Sequence, residues 1–442
     1  MICVIAVLLS FVVQWSLFCQ SYVIQPGVWK YRNKYPIAYE ETRKTEDAVS
    51  SVDPYDNATP VLLLNGFGVG SFHQHRLIQE LMQTPNYAGV DDSSSTAVTN
   101  RVIYGMDYLG QGKSWPEDCA DGNGPTEQGL RYCGQMWVDQ IIHFIEQVVL
   151  EDSHGDRPGG RNQPNKVHIV GNSVGGHLAV CVAASRPDLV ESIVLLNATP
   201  VWGLNLPGWS GHLPAPAVPK AIGRYLFDQI RNLNTIQQYL ANAYVNEEAF
   251  DETLMKQIRS CTEGDGGHAA FASILWSPPV TVKLNSNRRR TSDDMHAKDD
   301  SEILMADFDA CLRSLQCDVL LLFGRDDPWC KPAFGKRMLR DLRQRHSMLA
   351  PSETPPVERY VQLSQVGHCP NHEAPAAVAR ILSLWLDPQA SATESRNCRS
   401  ADLLNLADRE RIQESWGETT VEECREEEIP LSWADKLAIQ FV

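Results

Sequence analysis

Residues 166–185 read KVHIVGNSVGGHLAVCVAAS. The opening KVHIV is a short apolar run with β-branched residues, the pattern of a strand buried on both faces. HLAVCVAA, at its other end, is an apolar helix. Between them, Gly171-Asn172-Ser173-Val174-Gly175 places one hydroxyl between two glycines. A sharp strand-to-helix turn that exposes the Ser173 hydroxyl needs small residues two before and two after it, since a Cβ at either place would strike backbone. A bare G-x-S-x-G is a weak signal. Its setting between a buried strand and an apolar helix makes Ser173 the predicted nucleophile.

Working outward, similar apolar runs recur at 60–64 (PVLLL), 101–107 (RVIYGMD), 192–197 (SIVLLN), 317–323 (CDVLLLF) and 359–363 (RYVQL), with a helix-period stretch at 135–150. Apolar strands that alternate with helices predict an α/β fold, a mostly parallel central sheet covered on both faces. Residues 200–305 break the alternation. They are rich in Trp, Pro and helical pattern (AIGRYLFDQIRNLNTIQQYLANAY), which predicts a helical cap inserted between two parts of the core, 22–199 and 306–388. The charged stretch 285–302 is expected as a solvated loop on that cap, and the polar stretches 91–100 and 151–165 as surface elaborations. Beyond residue 388, 12 acids stand against 6 bases. An acidic tail over 389–442, with one or two short helices and weakly docked, is the expectation.

The whole chain has 442 residues, 39 basic and 55 acidic side chains, for a net charge of −16. Without a concentrated basic stripe, nucleic-acid binding is excluded, and the Arg288–Arg290 cluster is followed at once by acids. A hydrophobic content of 43% excludes wholesale disorder. Residues 2–18 are apolar and uncharged, which makes 1–21 a signal or targeting segment, with an uncleaved anchor as the alternative. Residues 22–39 hold Lys30, Arg32 and Lys34 with no acid before Glu40. They fit either the second half of a plastid presequence or an alternating first strand. Ten of the 12 cysteines lie beyond residue 21 with no CxxC spacing, so no pairing follows. Both sequons, at Asn57 and Asn197, are followed by Thr-Pro and are poor glycosylation sites.

A serine hydroxyl at its ordinary acidity is a poor nucleophile and requires a base and a residue that orients the base. When a nucleophile stands at such a turn, the acid and then the His follow it along the chain. DVLLLFGRDDPWC supplies Asp326 and Asp327 just after a late strand, and SQVGHCPNHEAP supplies His368 after the last. The developing oxyanion needs two backbone N–H groups. Val174, after the nucleophile, and Phe67, in the glycine-rich loop Asn65-Gly66-Phe67-Gly68-Val69-Gly70, are the expected donors. Metal is not expected: His368 and His372 form an i, i+4 pair, but Pro370 interrupts them and no third ligand is evident.

The strings NGFGVGSFH (65–73), MDYLGQGKS (106–114), GNSVGG (171–176), LLNATPVWG (195–203), FASILWSPP (271–279), FGRDDPWCKP (323–332) and GHCPNHEAP (367–375) are similar to those of the α/β-hydrolase fold superfamily. Within it the chain resembles the pheophytinase-like serine esterases, over about residues 28–387. The resemblance implies a triad of Ser173, Asp327 and His368, Asp327 being three residues after the Gly that ends its strand. It implies a large apolar ester as substrate, the phytyl ester of pheophytin or a related chlorophyll catabolite. No cofactor is implied, and location is plastid, the secretory pathway or a membrane anchor being the alternative. Trp202, Trp209, Trp276 and Trp329 are candidates to line the substrate pocket. Expected partners are the small apolar ester, with peripheral membrane contact left open. Asn65, the 285–302 loop and the acidic tail depart from the pattern and put substrate preference in doubt. A lipid esterase or acyltransferase using the same triad, and an inactive hydrolase-fold binding protein, are the competing readings.

Overall fold

The computed structural model describes residues 22–44, 58–83, 101–116, 129–152, 165–264, 266–285, 303–345, 355–386 and 410–424. The first part of the chain forms β1 (Tyr22–Tyr31), β2 (Tyr35–Lys44), β3 (Val61–Leu64), α1 (His75–Gln83), β4 (Ile103–Met106), α2 (Gly134–Phe144), β5 (Val167–Asn172), α3 (Val174–Ser185) and β6 (Val190–Leu196). Next come α4 (Ala217–Ile230), α5 (Leu233–Ala243), α6 (Glu252–Ser260) and α7 (Gly267–Trp276), then the antiparallel pair β7 (Val282–Asn285) and β8 (Ile303–Ala306). The chain returns as α8 (Phe308–Ser314), β9 (Asp318–Gly324), α9 (Pro332–Gln344), β10 (Glu358–Leu363), α10 (Pro375–Trp385), β11 (Arg411–Glu414) and β12 (Gly417–Glu423).

Ten of these strands form one sheet in the order β1-β2-β4-β3-β5-β6-β9-β10-β12-β11. From β4 to β10 every neighbouring pair is parallel, and the two strands at each edge are antiparallel. The period of two along the strands sorts the core. Leu62 and Leu64, Ile193 and Leu195, and Val319, Leu321 and Phe323 join one apolar cluster with α2, α3, α8 and α9. Val61 and Leu63, Val194 and Leu196, and Leu320 and Leu322 join the other, with α1 and α10. Every apolar run singled out above is a strand of this sheet. The class is α/β as expected.

One open reading is decided and one expectation changes. Of the two readings of 22–39, the alternating strand is the one formed: Tyr31 pairs with Tyr35 across a tight turn in which Arg32 and Asn33 take φ of 52° and 55°. That double left-handed turn matches the twist of the flanking strands. Residues 410–424 of the acidic tail are also sheet rather than helix. Alternation in RIQE and GETTVEE, obscured by the many acids, puts Thr419 and Val421 inward, and Gly417 starts the return strand. The 1–21 segment, the 91–100 stretch, Asn57, most of 151–165, all but the first residue of 285–302 and the rest of the tail lie outside the described residues. Seven of the eight described cysteines are buried free thiols.

Candidate active site

The carboxyl ends of β5, β6, β9 and β10 bring the chemistry together, the place where open parallel sheets bind ligands. Ser173 sits between β5 and α3 with φ 54° and ψ −117°, a conformation that L residues rarely adopt. The glycines around it are forced. A Cβ on Gly171 would stand 2.4 Å from the Gly175 carbonyl carbon, and one on Gly175 would stand 2.5 Å from the Leu64 carbonyl oxygen. Helix α3 can therefore run back across β3 only as a glycine-lined start. The turn is held by the Ser173 N–H donating to the Leu196 carbonyl at 2.9 Å, and the Ser173 carbonyl accepts from Thr199 N–H at 3.2 Å.

His368 Nδ1–H donates to Asp327 Oδ2 at 2.7 Å, and both residues are buried. The two neighbouring acids part company. Asp327 is 3% exposed, its Oδ1 accepting the Trp329 and Cys330 N–H groups at 2.8 and 3.1 Å. Asp326 faces solvent and accepts the Gln365 N–H at 3.0 Å.

Several residues not assigned to the site from the sequence hold this arrangement. Asn197, at φ 43° after β6, donates through Nδ2 to Asp327 Oδ2 at 2.6 Å while its Oδ1 accepts the Gly324 N–H at 2.8 Å. A sequon asparagine so engaged, at 0% exposure, is closed to glycosylation. Asn172 donates to the His368 carbonyl at 2.9 Å and to the Leu196 carbonyl at 3.2 Å. Gln111 Oε1 accepts the Gly68 N–H at 3.0 Å and so ties down the loop that carries Phe67. All three are polar residues at strand ends or within glycine strings, and buried polar groups must be hydrogen-bonded. That was the available signal.

Gly66 brings the Phe67 loop against the Ser173 turn, since a Cβ there would lie 3.5 Å from Ser173 Cβ. Val174 opens α3, so its N–H is one that the helix itself cannot use. Of the four tryptophans, Trp202 and Trp329 reach the site: the Trp202 ring is 5.1 Å from that of Phe67, and the Trp329 ring is 4.9 Å from that of His368. Trp329 is 43% exposed. Trp209, before α4, and Trp276, at the end of α7, pair with each other at 5.9 Å, their indoles donating to the His212 and Pro207 carbonyls.

His372 is held by other partners. Its Nδ1 accepts from the Tyr244 hydroxyl at 3.1 Å and from Arg76 at 3.2 Å, and its ring stacks on His73 at 4.7 Å. Burial, with Arg76 alongside, holds both imidazoles neutral, His73 being pushed down to about 3. A different trio, Asp327, Cys330 and His368, has ligand atoms within 4.8 Å of one another. Its chemistry fits an acid–base pair better than a metal. The Asp327 oxygens already accept from the imidazole, the Asn197 amide and two backbone amides, and burial holds the Cys330 thiol well above its ordinary range.

Residues 61–381 match the family model described as "Alpha/beta hydrolase family". The chain is 26% identical over 413 residues to the chloroplastic pheophytinase of Arabidopsis thaliana, covering 85% of this chain and 68% of that one. It is 25% identical over 230 residues to a 2-hydroxymuconate semialdehyde hydrolase of Pseudomonas sp., covering 52% of this chain and 60% of that one. In fold it is similar to a membrane phospholipase A, with TM-score 0.50, 18% identity, and 88% and 93% of the two chains covered. It is likewise similar to a serine hydrolase of the bacterium Cycloclasticus zankles, with TM-score 0.51, 14% identity, and 84% and 100% covered. With a match over most of its length and the sheet, turn and strand-end geometry above, the chain belongs to the alpha/beta hydrolase family.

Proposed function

We propose that the chain is a serine carboxylic ester hydrolase that cleaves a large apolar ester, the phytyl ester of pheophytin or a related chlorophyll catabolite, through an acyl-enzyme. The observation that carries the proposal is the 2.7 Å contact between Asp327 and His368 at the strand end beside the strained Ser173 turn. In this reading Ser173 Oγ attacks the ester carbonyl as the His368 imidazole takes its proton. Asp327 keeps the proton of Nδ1 in place, so that Nε2 faces the hydroxyl as a base, and stabilises the imidazolium that forms. The N–H groups of Val174 and Phe67 receive the oxyanion. The imidazolium then protonates the departing alcohol, and water, activated by the same imidazole, releases the acid.

Support for an apolar substrate comes from Phe67, Trp202 and Trp329 at the mouth and from the chloroplastic pheophytinase relative. That relative, with the uncharged stretch 2–18, also supports a plastid location, and a peripheral membrane contact is consistent with so apolar an ester. The basic stretch 22–39, being sheet, lends plastid targeting no support.

The test uses chain lacking residues 1–21, incubated with pheophytin, chlorophyll and simple aryl esters, the products being separated chromatographically. Phytol release from pheophytin faster than hydrolysis of a short soluble ester is expected. Turnover of lipid or aryl esters with no pigment cleavage in any detergent would instead establish a lipid esterase. Ser173→Ala should retain only the roughly 10³- to 10⁴-fold acceleration over water that binding and the oxyanion hole supply, and it should no longer label with a fluorophosphonate.

A further inference from the structure

Glu373 stands on the short helical turn Pro370–Glu373 that follows His368, and it is 1% exposed. Its carboxylate faces backbone amides. One oxygen accepts the N–H of Gly367, the residue before His368, at 2.6 Å. The other accepts the N–H groups of Val245 and Asn246, just past α5 of the cap, at 2.7 and 2.9 Å. Hydrogen bonds to an ionised acceptor are about twice as strong as neutral ones, so this is a firm clamp between cap and histidine loop.

Other contacts join the same pieces. The His368 N–H donates to the Ala243 carbonyl at 2.7 Å, and Gly367 lies so close that a Cβ there would stand 2.0 Å from that oxygen. From the turn between β11 and β12, Trp416 donates its indole N–H to the Glu373 carbonyl at 2.7 Å, and its own carbonyl accepts from the Asn246 side chain at 2.6 Å. This hairpin lies outside the residues matched by the family model.

We propose that Glu373 is a positioning residue for His368: its ionised carboxylate fastens the histidine loop to the cap, so that the imidazole is aligned only while cap and loop are joined. The inference rests on the triad reading above. Titratable and charged groups surround the carboxylate on every side. The charge of Asp326, on the acid turn, reaches it, and Glu247 of the cap and Glu414 and Glu418 of the C-terminal hairpin line the same depression. Tyr244 and Cys369 adjoin it, and Arg76 of α1 lies over the Trp416 ring at 4.8 Å. Burial pushes Glu373 up to about 7 despite its three amide donors. Protonation would set an O–H donor against one of the N–H donors and change the alignment of the histidine loop; because the docked state takes up this proton more readily than a solvated carboxyl would, it does not part the loop from the cap.

Glu373→Gln in the full chain tests this. The readouts are aryl-ester turnover and the rate of fluorophosphonate labelling across the neutral pH range, with circular dichroism as the folding control. A loss of roughly ten- to a hundred-fold in kcat with little change in KM is expected, the scale of a small misplacement of a reacting group. The acid limb of the variant's profile should also lack one ionisation present in the wild type. A folded variant with the wild-type profile overturns the proposal, whether its kcat is unchanged or it merely melts lower. Should Glu373→Gln not fold, Trp416→Phe removes the indole donor and keeps the ring. A several-fold fall in kcat with a displaced acid limb supports the proposal, and wild-type values overturn it. Failure of the triad reading shows separately, as wild-type chain labelled at a serine other than Ser173 or not at all.

Discussion

At the residue scale, two adjacent carboxylates carry the sharpest distinction. Successive residues of an extended turn point in different directions, so only one of Asp326 and Asp327 can meet His368. The one that does is buried beneath four donors, while its neighbour pins the Gln365 amide at the surface. Asp327→Asn should lower turnover by roughly 10⁴-fold while the protein stays folded, because an amide favours the wrong imidazole tautomer. Asp326→Asn should keep most activity, an amide oxygen still being able to accept the Gln365 N–H. Turnover of both variants, with circular dichroism for folding, decides the assignment. A dead Asp326→Asn beside an active Asp327→Asn would reverse it.

At the element scale, the Ser173 turn exists because α3 can cross β3 almost in contact. Gly175 is the contact point, with backbone oxygens of Leu64 and Asn65 at 2.5 and 2.7 Å from where its Cβ would be. Backbone at a strand end, packed on both sides, cannot step aside. Gly175→Ala should therefore cost about 1–3 kcal/mol, as overpacking does, and should depress activity by displacing the Val174 amide. Gly417 in the C-terminal hairpin is the contrast: an added Cβ there meets nothing closer than the Asn246 side chain at 3.7 Å. Gly417→Ala should stay within roughly 0.5 kcal/mol of wild type. Urea denaturation of the pair measures both, and equal losses would show that close approach is not the reason.

At the scale of the whole molecule, burial traps titratable groups of opposite tendency. His177 stacks on Phe308 at 4.6 Å, donates Nδ1–H to the Thr199 carbonyl at 3.1 Å, and is pushed down by burial to about 4. A histidine held neutral binds fewer protons folded than unfolded, so stability is lost as pH falls from about 6.5 towards the folded value. Glu373 and Glu414, pushed up by burial to about 7, act in the reverse sense, because the folded state binds the extra proton. The balance between these groups shapes the overall pH dependence, but a variant isolates one of them. The stability advantage of wild type over His177→Gln should shrink below about pH 6.5, by up to about 1.4 kcal/mol per pH unit. Denaturation curves at a series of pH values measure it, and a constant difference would mean that His177 charges freely in the folded state.

What could be read in the chain was whatever rests on local pattern. The strands at 60–64, 166–170, 192–197 and 317–323 are apolar on both faces because helices cover both faces, and that signal needs no partner to be visible. The strand-end positions of Ser173, Asp327 and His368 were legible for a similar reason: each follows a recognisable strand, and glycines mark the turn. Other features depended on tertiary contacts. Asn197, Asn172, Gln111 and Glu373 are polar residues whose importance comes from what the fold sets opposite them, across separations such as the 130 positions between Asn197 and Asp327. The tail strands at 411–414 and 417–423 were hidden because edge strands alternate acids with a few inward residues, and only pairing with β10 makes that alternation meaningful. Trp202 and Trp329 could not be told from Trp209 and Trp276 by type or spacing. Local sequence sets which backbone each segment prefers, but which side chains meet is settled by how the segments pack.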